Sequence, residues 1–324
     1  MLQRALAPAA LCVLACFSGA SAQATDAADG STGAAEPQSR RITLGDVAGD
    51  GLRVERGYSP SPLGQVHWQD VRPATAATAL RNPVYVLLHQ VPWFHVYYTG
   101  AQAELAARGI RSIALDLPGY GLSARPESPP DIAAYATAID AALKHLRIGR
   151  SVIVGHHTGV TVGAELARSA PQRVACLIMH GVPLYTPEQA AARLAAPHWD
   201  QTYRDAGAHL SDRWMYLSGR VAGSTDALHW SVMSIYLAGD REWYGHHAVF
   251  QYDMQRTLQS LRVPAAVLSN ERDLLHFTFP RVRELRPDFI YRELSSASSN
   301  MAFDEPAPWV DAVVSVAGEC QAKK

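Results

Sequence analysis

The feature that most constrains this chain is an alternation that begins near residue 83 and runs almost to the end. Short apolar runs at 83–88, 112–115, 151–154, 174–179 and 265–268, with a further one at 289–291, are separated by stretches of helical character at 100–108, 131–146, 158–169 and 308–317. Runs of four to six apolar residues without polar alternation are buried on both faces. Strands of that kind alternating with helices form successive βαβ units. Residues 64–71 alternate apolar and polar in the manner of an earlier strand. The expected fold is therefore α/β, a mostly parallel, doubly wound sheet. Right-handed crossovers place the carboxyl ends of the strands, and the loops that bind a ligand, on one edge.

The alternation is interrupted from about 185 to 244, where helical segments carry Trp199, Trp214, Tyr216, Trp230 and Tyr236. This segment reads as an inserted helical cap over the sheet edge. Its aromatic side chains are accounted for equally by packing within the cap and by an apolar ligand pocket.

The first 24 residues hold Arg4, an apolar run from Ala5 to Phe17 and a tail of small residues. That order is the pattern of a secretory signal peptide, and the run is too short for a membrane span. Cys16 weakly resembles a lipoprotein processing site, the lesser alternative. Residues 25–40, rich in Ala, Asp, Gly and Ser, read as a flexible linker, and 41–320 as one domain. The expected location is periplasmic or extracellular. Of the four cysteines only Cys176 and Cys320 lie beyond the signal, so there is no disulfide framework, and whether these two pair is open.

Basic and acidic side chains number 29 and 30, which leaves no electrostatic footprint for nucleic acid or an anionic membrane. A small neutral or weakly polar ligand fits better. No transmembrane segment, cofactor motif or metal motif is read from the spacing, and nothing in the sequence bears on oligomeric state. His89, His156, His157, His180, His246 and His247 could supply imidazoles to a metal, but no pair of them has the HExxH spacing.

The chemistry-bearing motif is Gly155-His156-His157-Thr158-Gly159, set between a strand and a helix. Its glycines leave room for a strained turn that pushes the middle residue toward a ligand. With it come His89-Gln90 after an early strand, the run from Asp116 to Ser123 (Asp-Leu-Pro-Gly-Tyr-Gly-Leu-Ser), and Glu271-Arg272-Asp273 after a late one. Over about residues 64–318 this series resembles the α/β-hydrolase superfamily, the α/β-hydrolase fold of the family-1 type. In that family the elbow residue is a Ser, Asp or Cys nucleophile, a late His carries the proton and an acid orients that His.

By this resemblance His157 stands at the elbow, Asp273 at the acid and Asn300 at the place of the late His. The backbone NH groups of Gln90 and Thr158 stand at the oxyanion hole. Asn300 cannot act as a base, so the usual relay cannot run. His180, at the end of a strand on the same edge, could substitute as proton carrier or touch substrate, or else be structural. His89 is expected to be structural, His156 to point away from its neighbour into the protein, and His246-His247 to open a partly exposed helix.

Two functions follow. One is an enzyme in which His157 acts as base or nucleophile on a small apolar ester-like substrate. The alternative is a catalytically inactive protein that keeps the pocket and binds a ligand.

Overall fold

A computed structural model describes residues 51–74 and 83–322; the expected signal peptide and linker at 1–40 lie outside these residues. Eight strands form one sheet in the order β1-β2-β4-β3-β5-β6-β7-β8. They are β1 (Leu52–Ser61), β2 (Gly64–Pro73), β3 (Tyr85–Leu88), β4 (Ser112–Leu115), β5 (Ser151–His156), β6 (Val174–His180), β7 (Ala265–Asn270) and β8 (Ile290–Leu294). All neighbours from β4 to β8 are parallel, whereas β1 pairs antiparallel with β2 and β2 with β4.

Period two decides what each strand residue meets. Val86, Leu88, Ile113, Leu115, Ile153 and Leu177 face α2 (Ile132–His145) and α3 (Thr158–Ser169). Leu87, Ala114, Val152, Val154, Cys176 and Ile178 face α1 (Thr99–Ala107) and the C-terminal helix, Pro306–Ala322, through Leu105, Trp309 and Val313. Both faces of the central strands are thus apolar, the condition for a sheet covered on both sides. On the second face Cys176 of β6 and Cys320 of the last helix form a disulfide with a Cα–Cα distance of 5.8 Å and a sequence separation of 144.

Several boundaries depart from the sequence reading. Strand β1 was not anticipated: most of its residues are exposed or half-exposed, it is paired on one side, and Arg53, Glu55, Arg56 and Pro60 blur its alternation. The final helix extends beyond 308–317 at both ends. The stretch read as a cap, about 185 to 244, contains α4 (Pro187–Leu194), α5 (Ala208–Ser218) and α6 (Thr225–Ala238). Two more helices, α7 (Tyr244–Gln251) and α8 (Met254–Ser260), precede β7, with α8 packed on α3. The remaining helices are α9 (Phe279–Leu285), the short α10 (Met301–Asp304) and α11 (Pro306–Ala322).

The strand order reverses at β3, which lies between β4 and β5. The crevice outside the carboxyl ends at such a switch point is where sheets of this type bind ligand. The loops at that place are 89–94, after β3, and the turn at His157, after β5.

Candidate active site

His157 joins β5 to α3 with φ 44° and ψ −106°, a conformation that L-residues seldom adopt. The turn is held on both sides: its NH donates to the carbonyl of His180 at 3.1 Å, and its own carbonyl accepts from Val160 NH at 2.9 Å. Residue 159 must be glycine, because a methyl group there would lie 1.9 Å from the carbonyl oxygen of Leu88.

The imidazole of His157 reaches the carboxylate of Asp273, on the loop after β7, with Nε2 3.0 Å from both oxygens. His156, the preceding residue, puts its own Nε2 3.0 Å from Oδ2 of the same carboxylate, and Leu275 NH donates to Oδ1 at 2.7 Å. Burial pushes the Asp273 carboxyl upward, but the neighbouring His157 imidazole and the hydrogen bonds from His156 and His157 outweigh it. The carboxyl stays well below the usual carboxylate range. It is therefore ionised, accepts from each imidazole, and fixes the hydrogen of His157 on Nε2. In the neutral ring this leaves the lone pair on Nδ1.

The expectation that His156 turns away from its neighbour is corrected. The two rings lie 4.1 Å apart, because both approach one acid. Burial, and then the neighbouring His157 imidazole, push the His156 pKa well below the ordinary value, so it stays neutral. Its ring is stacked between Tyr97 and His180, and its Nδ1 is buried without a partner among the described residues.

Of the roles left open for His180, its contacts favour the structural one, 3.8 Å from the acid. Its ring is buried, and both nitrogens are engaged. Trp309 Nε1–H, which can only donate, points at Nδ1 at 3.0 Å. The hydrogen of His180 therefore sits on Nε2, which donates to Asn270 Oδ1 at 3.1 Å. His156, His180 and Asp273 come close enough to suggest a metal site. Trp309 nonetheless keeps hydrogen on the nitrogen that would have to ligate, so these imidazoles serve as donors to oxygen. In a similar group, His67 and His95, the carboxylate of Asp116 already accepts from both Nδ1 atoms and from the NH groups of His95 and Leu122.

Asn300 does not meet the acid as a late His would. Its Oδ1 accepts from Gln90 Nε2 at 2.8 Å, and it makes no bond to Asp273, whose oxygens are already filled. The NH groups of Gln90 and Thr158 make no hydrogen bond to another described residue, and neither does that of Val91, which the sequence reading did not single out. His89 anchors this loop: Nδ1–H donates to Gln90 O at 2.9 Å, Nε2 accepts from Leu117 NH at 2.8 Å, and burial pushes its pKa down to about 4.

Gly181, with φ 65°, is a further residue the sequence did not disclose as part of the site. A methyl group there would stand 2.4 Å from Cδ2 of His157 and 2.9 Å from Oδ1 of Asp273. The glycine is the space in which the His157–Asp273 pair is formed.

Comparisons with known proteins agree with this architecture. Residues 83–252, just over half of the chain, match the model of the α/β hydrolase fold family. An esterase from Thermogutta terrifontis superposes with a TM-score of 0.66 at 17% identity, over 82% of this chain and 99% of that one. An enol-lactonase from Burkholderia xenovorans does so with a TM-score of 0.62 at 20% identity, over 80% and 99%. At these identities the likeness is one of fold. Among curated sequences, an uncharacterized protein of Mycobacterium tuberculosis is 37% identical over 98 residues, 30% of this chain and 28% of that protein. Epoxide hydrolase 3 of Siraitia grosvenorii is 33% identical over 99 residues, 30% of this chain and 31% of that enzyme. These matches span under a third of the relatives' length.

Proposed function

This chain belongs to the α/β-hydrolase fold family, and we propose that it is an exported hydrolase of small apolar ester-like substrates in which His157 is the reacting residue. The observation that carries the reading is the pairing of His157 Nε2 with the ionised Asp273, which leaves Nδ1 as the one lone pair of an imidazole set on a strained turn. In this reading the turn is the nucleophile elbow. Nδ1 adds to the carbonyl carbon, and the oxygen that becomes negative is received by the NH groups of Thr158 and Gln90. Loss of the alkoxide leaves an acyl-imidazole, and water releases the acid. Asp273 stabilises the positive charge that develops on the ring.

An imidazole is a weaker nucleophile than an activated serine alkoxide, so the reading favours good leaving groups: aryl and enol esters, thioesters and strained lactones over alkyl esters. The aromatic side chains between β6 and β7 support an apolar substrate. Export is supported by residues 1–24 and by the Cys176–Cys320 disulfide, since such bonds persist in oxidising compartments. No helix among the described residues is long and apolar enough to cross a membrane.

A binding protein is the second reading, favoured by one observation: Asn300, the residue in the sequence place of the late His, bonds Gln90 and not the acid, and titrates nothing. A panel of short-chain nitrophenyl esters, thioesters and lactones separates the two. Hydrolysis is expected to be fastest for the aryl esters and thioesters. If no substrate turns over above background while an ester or its amide analogue raises the melting temperature, the binding reading holds.

A further inference from the structure

The loop after β3 is anchored at residue 90 from two directions. His89 Nδ1–H holds the carbonyl of Gln90 at 2.9 Å, and the Gln90 side chain donates from Nε2 to Asn300 Oδ1 at 2.8 Å, across 210 positions of sequence. Both side chains of this amide pair are buried. The carbonyl held by His89 belongs to the peptide plane that also carries the NH of Val91, and the NH of residue 90 lies in the plane before it. These are the two NH groups of the loop that meet no other described residue. With its carbonyl and its side chain both held, residue 90 has little freedom in φ and ψ, and the direction of both NH groups is set.

Asn300 is itself fixed. Its NH donates to Ser298 Oγ at 2.8 Å, and its carbonyl accepts from the NH groups of Phe303 and Asp304 at 2.9 and 3.0 Å, at the start of α10. The residues before it are tied to the strand end that bears the acid. Ser298 O accepts from Asn270 Nδ2 at 3.0 Å, and Ser299 Oγ donates to the carbonyl of Arg272, the neighbour of Asp273, at 2.7 Å. On the other side of the loop, Gly159 of the elbow packs directly on the carbonyls of Leu88 and His89. The Gln90–Asn300 bond thus joins the loop that offers NH groups to the segment that is fastened to the acid.

We propose that Asn300 is a positioning residue for the oxyanion hole: its amide oxygen holds Gln90, and through Gln90 the NH groups of the loop, where they receive the negative charge that develops on substrate oxygen. The proposal rests on the hydrolytic reading of His157. The residue in the sequence place of the late His then keeps a part in the reaction without titrating, because it acts on the charge of the oxygen and not on the proton.

Asn300 Nδ2 supports this. It is buried and has no partner among the described residues. A buried donor without an acceptor is costly, and a residue that only filled the core would do so better with an apolar side chain. What Asn300 supplies at that cost is the acceptor for Gln90.

The test is steady-state hydrolysis of one nitrophenyl ester by wild type, Asn300→Leu, Gln90→Leu, the double variant and Asn300→Asp, with melting temperatures measured alongside. Asn300→Leu is expected to lower kcat about 10- to 100-fold and to leave KM within about threefold, because the bonds to the oxyanion form only as charge develops. Gln90→Leu breaks the same bond from the other side and gives the same split, which keeps the test open if Asn300→Leu folds poorly. The double variant should be no slower than the slower single one, since the two changes remove one interaction. Asn300→Asp keeps an acceptor for Gln90 and should recover most of kcat. The inference is overturned if both single variants keep kcat within about twofold of wild type, if the loss falls on KM, or if the two losses multiply in the double variant. Asn300→Asp as slow as Asn300→Leu at an unchanged melting temperature overturns it too. A wild type that hydrolyses no ester overturns the hydrolytic reading itself, and the inference with it.

Discussion

Asp273→Asn is expected to reduce kcat by about 10³- to 10⁴-fold, the size of effect seen when an orienting acid is replaced by its amide and the histidine takes the wrong tautomer. The carboxylate accepts from Nε2 of both His156 and His157, and from Leu275 NH. An amide in its place offers one oxygen and one NH₂ group; with the oxygen kept toward Leu275 NH, the NH₂ takes the place of Oδ2, which both imidazoles meet, so a donor faces donors there. If the NH₂ faces His157, the hydrogen of that ring moves from Nε2 to Nδ1, and the lone pair that would attack substrate disappears. The charge that would stabilise the acylated ring disappears with it. Rates of the variant on the same aryl ester as wild type, with the melting temperature measured alongside, check this. Activity within a few-fold of wild type would show that Asp273 does not set the state of His157.

The second large effect concerns stability. Replacing both Cys176 and Cys320 by Ala opens a cross-link with a sequence separation of 144. The chain-entropy account assigns a cross-link over such a span about 3–5 kcal/mol. For a domain of this size that corresponds to a fall in melting temperature on the order of 10 °C. The site is built from the ends of β5, β6 and β7 and not from the middle of β6, so kcat measured well below the transition should be retained. Calorimetry on the double variant and on wild type, without reductant, gives the comparison. Coincident melting curves would mean that the disulfide does not constrain the unfolded chain.

The sheet was legible because the central strands are apolar on both faces and the helices between them are not, a contrast that survives in one dimension. Strand β1 escaped because an edge strand with one paired side needs no apolar run. Helices α7 and α8 left no pattern in the sequence because they mix polar and apolar residues around their circumference, as short helices lying between sheet and solvent do. The turn at His157 was legible from its two glycines and its place between strand and helix, and Asp273 from its place after a late strand.

What surrounds them was not. That Asn300 bonds Gln90, that His180 is fixed by Trp309, and that Cys176 pairs with Cys320 are meetings of residues more than 100 positions apart. No local pattern encodes such meetings. His156 offered a signal, the doubled histidine, but alternation along a strand argues that neighbours diverge. They converge here because the chain leaves its strand at His157, where φ turns positive.

The central claim is that His157 is the group that reacts. Its most direct test is the rate of nitrophenyl acetate hydrolysis by wild type and His157→Ala, measured on protein whose melting temperatures agree within a few degrees. The account predicts turnover by wild type and a loss of at least about 10³-fold in the variant, because an alanine side chain has neither nucleophile nor base. Equal rates in the two proteins would contradict it and place the chemistry outside this site.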